Sequence, residues 1–280
     1  MKNYGFTTKI ILPILALGFA LTNCSNEESL DQNVQNEDAL EVAMSSEIDD
    51  MSSVIGDIII ETFEAQEADE SGRLLQQNSL PECVTVTIVA QLGFREITVD
   101  FGDQGCLVRG HTLKGQIIFT YERDPQAQQV LINYNLVDFY FDAKNIIGSK
   151  TILRQLSNEN GNPQFTHTVD LTVVWPNGAE ASREGLRVRE WVEGFANGIW
   201  SDNVFEITGN WTTRFVNGNT HSYEVIIPLR REMTCNYFVS GSIDVQRVNY
   251  GGVFDYGSGN CDNQATFTFS NGTVVNVTLN

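Results

Sequence analysis

"QFTHTVDLTVVWPNGAEASREGLRVREW", residues 164–191, decides how the chain is read. Phe165, Val169, Leu171, Val173 and Trp175 share one parity, while Thr166, Thr168, Asp170 and Thr172 share the other. Side chains of an extended chain alternate between faces, so the spacing predicts a strand with one buried and one wetted side. Asn177-Gly178 then supplies the two positive-φ residues of a tight primed hairpin turn. Beyond it, Glu184 and Glu190 share a parity with Leu186 and Val188. Arg183, Arg187, Arg189 and Trp191 share the opposite one, which reads as a cationic, aromatic stripe on a wetted face, paired with neighbouring acids or open to a carboxylated glycan or peptide.

The same period of two recurs outward in both directions. Val84, Val86 and Ile88 alternate with threonines, as do Ile97, Val99 and Phe101 with Thr98 and Asp100. Downstream, Phe205, Ile207, Trp211 and Phe215 form one such set, Tyr223, Val225, Ile227 and Leu229 another, and Ala265, Phe267 and Phe269 a third. Asn160-Gly161, Asn217-Gly218 and Asn271-Gly272 punctuate these runs. The expected fold class is all-β: a long antiparallel meander over 80–280, forming a curved sheet or a two-layer sandwich.

Two segments repeat the pattern Asp-aromatic-Gly-x-x-x-Cys: "DFGDQGC" at 100–106 and "DYGSGNC" at 255–261. An Asp-Phe-Gly tripeptide holds magnesium in protein kinases, but there it accompanies a glycine-rich loop, a strand lysine and a catalytic-loop Asp and Asn, none of which occurs here. Each repeat instead has a cysteine upstream, Cys83 for Cys106 and Cys235 for Cys261, with strand, turn and strand between. Residues equidistant from a hairpin turn lie opposite one another, so the spacing predicts Cys83–Cys106 and Cys235–Cys261 disulfides. The competing connectivities would join the two ends of the domain.

The amino-terminal part is of another kind. Lys2 and Lys9 precede an apolar run from Ile10 to Leu21, too short to span a bilayer, which reads as a secretory signal over 1–23. Residues 24–42 are polar, acidic and poor in aromatics, the composition of a disordered tether. Over 43–72 Ile48, Met51, Ile55, Ile58 and Phe63 recur at helical spacing, predicting one amphipathic helix packed on the sheet. Ser46, Asp49 and Asp50 suit its amino end, and Ser71-Gly72 its stop.

Leu21-Thr22-Asn23-Cys24 resembles the lipobox of bacterial lipoproteins, with Asn23 replacing the usual small residue. That resemblance implies cleavage before Cys24 and acylation of its sulfur and amine, each buried CH₂ contributing about 0.8 kcal/mol to membrane binding. Ser25-Asn26-Glu27-Glu28 is similar to the acidic export tag of surface lipoproteins in Bacteroidota. The segments "ITVDFGDQGC", "RGHTLKGQIIFTY", "ITGNW", "IIPLRREMTCNYFVSGSIDV" and "FDYGSGNCDNQATFTFSNGT" resemble the Bacteroidota, flavobacterial-type exported lipoproteins with a helical leader and a carboxy-terminal all-β domain. The resemblance implies a lipid anchor in the outer membrane, with the cell surface favoured over the periplasmic face. It supplies no enzymatic assignment and no catalytic residues.

The formal charge of -19 argues against nucleic-acid partners, which need a basic patch. Nearly half of the 36 acids fall between 25 and 82, against the single base Arg73. His111, His167 and His221 have no metal-ligand spacing, and His167 lies on the apolar parity of its strand, so neither metal nor cofactor is expected. Arg187, Arg189 and Trp191, with Phe195 and Trp200 from the glycine-flanked loop 194–202, are the candidate ligand-binding residues. The expected function is a non-catalytic binding module for a glycan, a peptide or an envelope protein. The alternatives are a carrier of apolar ligands, with the helix as lid of a half-barrel, and a carbohydrate hydrolase of the cell envelope.

Overall fold

The computed structural model describes residues 27–72, 79–247 and 251–279, with side chains from Leu40 onward. It divides into two compact units, 1–39 and 40–280. The signal segment and Cys24 lie outside the described residues. In the first unit, residues 27–39 are helical, where an irregular tether was expected. No proline or glycine stands between 25 and 55, so nothing in the backbone stops helix α1, Glu27–Glu70, from starting early. Ser46 is therefore an interior residue rather than a cap. The carboxyl end is as expected: Gly72 sits at φ 63°, and the Ser71 amide donates to the Glu67 carbonyl at 3.1 Å.

The second unit is one antiparallel sheet. Its strands are β1 (Thr85–Gln91), β2 (Phe94–Asp100), β3 (Cys106–Val108), β4 (His111–Glu122), β5 (Gln129–Phe141), β6 (Lys144–Ile147), β7 (Ser149–Gln155) and β8 (Gln164–Val174). There follow β9 (Glu180–Glu193), β10 (Val204–Phe215), β11 (Thr220–Glu232), β12 (Phe238–Gln246), β13 (Gly251–Ser258), β14 (Gln264–Phe269) and β15 (Val274–Thr278). Nearly every strand pairs with its sequence neighbour; β3 adds to β4, and β6 and β7 both bridge β5 to β8. The fold is all-β with one helix against the sheet, as the period-two runs predict.

The turns differ in detail from the expected primed type. Gly161, Gly178, Gly218 and Gly272 have positive φ, but the asparagines before them do not. In "WPNGA" the Trp175 amide donates to the Ala179 carbonyl and the Gly178 amide to the Trp175 carbonyl, both at 2.9 Å. "FVNGN" and "FSNGT" repeat both bonds. These are three-residue loops, a type I turn closed by a left-handed glycine. The asparagine acts through its side chain: Asn177, Asn217 and Asn271 Oδ1 each accept the amide two residues on, at 2.9–3.0 Å.

Both predicted disulfides are present, with Cα–Cα distances of 5.8 Å for Cys83–Cys106 and 5.6 Å for Cys235–Cys261. In both Asp-aromatic-Gly repeats the aspartate side chain holds the backbone of the glycine, at the end of β2 in the first and within β13 in the second. Asp100 Oδ1 accepts the Gly102 amide at 2.8 Å, and Asp255 Oδ1 the Gly257 amide at 2.7 Å.

The helix is where the structure departs furthest from an amphipathic element. Every residue from Ser53 to Glu64 is buried, about three turns with no wetted side. A helix can be covered all round by one sheet only if the sheet curls about it. Phe63 meets Tyr121 of β4 edge-on at 4.9 Å, while Glu41 reaches His221 of β11 at 2.7 Å, so α1 from Leu40 onward lies along a trough whose walls are both halves of the meander. Ile48, Ile55, Ile58 and Phe63 join Ile97, Phe119, Ile152 and Phe165 in the main core. A second cluster, with Trp211, Tyr223, Phe254 and Phe267, fills the space beneath β10–β15 and takes in Val42.

Candidate functional site

The trough floor carries charge as well as apolar groups. Register explains how. The Asn177-Gly178 turn sets Val173 opposite Ala181, Leu171 opposite Arg183, His167 opposite Arg187 and Phe165 opposite Arg189. Residues directly opposite across antiparallel strands share a face, so the arginines lie on the same side as the apolar set. Arg183, Arg187 and Arg189 are therefore 1%, 4% and 2% exposed, and it is the opposite parity, with Glu184, Leu186, Val188 and Glu190, that faces outward. The stripe assigned to a wetted face is an interior one.

Its partners come from the helix. Asp49 Oδ1 accepts hydrogen bonds from both Arg183 Nη1 and Arg187 Nη2. Asp57 Oδ1 accepts from Arg189 Nη2, while its Oδ2 faces Arg231 Nη2 and Arg109 Nη1, each at 3.1 Å. Further along, Glu61 meets Arg109 at 2.7 Å and Glu64 meets Arg154 at 3.1 Å. At the other end Glu41 takes His221 Nε2 at 2.7 Å. Aromatic rings back the guanidiniums: Arg187 lies 4.2 Å from the Trp211 centroid, Arg189 4.8 Å from Phe205 and Arg183 5.3 Å from Tyr223.

Burial and charge compete at these groups. Burial alone would raise the Asp57 carboxyl; Arg189, Arg231 and Arg109 outweigh it and hold the group at about 2, against an ordinary 3.8. At Glu61 burial wins over Arg109, and the carboxyl is raised. Burial lowers the Arg187 and Arg189 guanidiniums in spite of Asp49 and Asp57. His167 is pushed well below its usual value by burial, with Arg189 and Arg187 adding to the effect. Lys150 falls from 10.5 to about 7, again through burial, with Asp170 opposing and Arg183 and Arg187 assisting.

The candidate ligand-binding residues divide into two places. Arg187 and Arg189 are held by the helix. Trp191, Phe195 and Trp200 gather with Phe205 in an aromatic group at the end of the trough, with Trp191 at 5.0, 5.8 and 5.1 Å from the other three rings. Trp191 and Trp200 are buried at 1% and 3%, and only Phe195, at 36%, meets solvent. The loop thus caps the sheet rather than presenting both rings. Lys150, Tyr134 and Ser52, which sequence reading passed over, stand with His167 around a small cavity of ≈ 20 Å³. A shallower opening of ≈ 200 Å³ lies beside the second disulfide, lined by Asp255, Asn260, Asp262 and Asn276. Among the described residues no three His, Cys, Asp or Glu side chains are grouped to hold a metal ion, and no described helix is long and apolar enough to cross a membrane. No protein-family model, curated protein or solved structure matches the chain.

Proposed function

We propose that the chain is an exported, lipid-anchored module of the cell envelope that acts by binding through its outer surface and not by catalysis. The observation that carries this reading is the filling of the trough by α1. The concave side of a curved sheet is where a ligand or substrate would enter, and here it is occupied by the chain's own helix, joined by ion pairs at Asp49, Asp57, Glu61 and Glu64. The acids that a hydrolase would need in the trough already face arginines. A carrier of apolar ligands needs a pocket of roughly 300 Å³ or more, whereas the helix–sheet interface leaves ≈ 20 Å³ beside Lys150. What remains for a partner is the outer face, rich in threonine, and the edge strand β1, where Ile88 and Val89 are exposed. A glycan, a peptide or another envelope protein suits such surfaces. Two disulfides support an oxidising compartment.

The anchor is tested by metabolic labelling with an alkyne fatty acid. Wild-type chain is expected to carry the label and to sediment with outer membranes, and Cys24→Ala to lose both properties. Labelling that survives Cys24→Ala would remove the anchor from this reading.

A further inference from the structure

The cavity of ≈ 20 Å³ between α1 and the sheet has an unusual lining. Tyr134 of β5 lies opposite Lys150 of β7, Ile152 of β7 opposite His167 of β8, and His167 opposite Arg187 of β9, so four adjacent strands deliver their polar groups to one spot. Ser52 of α1 closes it from above. Lys150 and His167 are each 7% exposed and Arg187 is 4% exposed. Ser52 Oγ, His167 Nε2 and Arg187 Nε are buried without a hydrogen-bond partner. Lys150 has no hydrogen-bond or ion-pair partner among the described residues, and Asp170 is the single carboxylate acting on it.

The charges around this spot do not balance. Arg183 and Arg187 share the one carboxylate of Asp49. Arg189, Arg231 and Arg109 share that of Asp57, with Glu61 adding a second contact for Arg109. Lys150 is a further cation. A buried cationic surplus beside unpaired donors is costly unless something neutralises and accepts from it. Water answers poorly. It has two lone pairs, too few for the donors of Lys150, Arg187, Ser52 and the Nε2–H tautomer of His167. An anion is acceptor-only. The space is also small, ≈ 20 Å³, and suits a compact occupant such as a monatomic ion.

We propose that this cavity is a structural halide site, holding one chloride ion between Lys150, Arg187, His167 and Ser52. The ion locks α1 to β7, β8 and β9 at the point where the carboxylates of the helix are outnumbered.

The test uses the full chain, solubilised, in sodium chloride, sodium bromide or sodium gluconate at equal ionic strength. Chloride and bromide are expected to raise the Tm over gluconate by roughly 3–5 °C per tenfold rise in halide above half-saturation. Lys150→Met, which removes a buried cation while keeping the stem, is expected to fold and to lose the halide-specific part. Ser52→Ala, which leaves all charges in place, is expected to need several-fold more halide. Crystals grown in bromide should show an anomalous peak within about 3.5 Å of Lys150 Nζ and Arg187 Nε. Equal Tm values in the three salts, the same halide gain in Lys150→Met, or a cavity without anomalous signal would overturn the site.

Discussion

Asp57 faces the guanidiniums of Arg189, Arg231 and Arg109 with no exposed surface of its own. Removing one member of a buried ionic group leaves its partners unpaired, at a cost of about 3–5 kcal/mol. Asp57→Asn is expected to lower stability by at least that much in urea melts, more than Glu70→Gln at the exposed end of the helix. The carboxyl's lowered value gives the sign with pH: its contribution is present above 3.8 and is lost as pH falls through about 2. Lys150 and His167 act in the opposite part of the scale. Both are lowered, so the unfolded chain binds more protons, and stability rises with pH from about 7 to 10.5 through Lys150 and is lost below 6.5 through His167. In gluconate buffer, the Tm should climb between pH 7 and 10, and Lys150→Met should flatten that climb. A wild-type profile as flat as the variant's would refute the assignment.

Gly56 shows how the helix is fitted as an element. A Cβ there would lie 2.9 Å from Arg189 Nη1 and 3.0 Å from His167 Cε1. Alanine gains up to about 1 kcal/mol over glycine in a helix interior, yet overpacking costs about 1–3 kcal/mol, and Arg189 is tied to Asp57 and cannot swing aside. Gly56→Ala is therefore expected to lower the Tm, against its propensity. The two hairpin bridges contribute differently. Each closes a loop with a sequence separation of 23 or 26 residues, for which chain entropy gives about 3 kcal/mol. Replacing Cys235 and Cys261 together by serine should cost about that amount in equilibrium unfolding without moving the helix amides. The antiparallel meander, the strands marked by period-two runs and both bridges were legible in the sequence because period two and turn residues are local signals; β4–β7, over 111–155, were not singled out. The face of the arginine stripe was legible too, by counting back from Asn177-Gly178 to the pair His167–Arg187, but charge was taken as a sign of solvent. The early start of α1 was hidden by composition: an acidic run poor in aromatics reads as a solvated coil, although it holds no proline or glycine to stop a helix.

At the scale of the molecule, the sheet has no second layer and no closed ring among the described residues; β1 and β15 end it. Its core is completed by a segment of the same chain that precedes it. That makes α1 the equivalent of a second sheet, and its buried ion pairs fix the rotation and axial position that a ring of isoleucines alone would leave free. The central claim is therefore that α1 is part of the core and not a lid, and native-state hydrogen exchange tests it most directly. The account predicts that amides of Ser53–Glu64 exchange only with global unfolding, at the same free energy as the central strands β8–β10. Exchange of those helix amides through a low-energy opening, while the central strands stay protected, would contradict it.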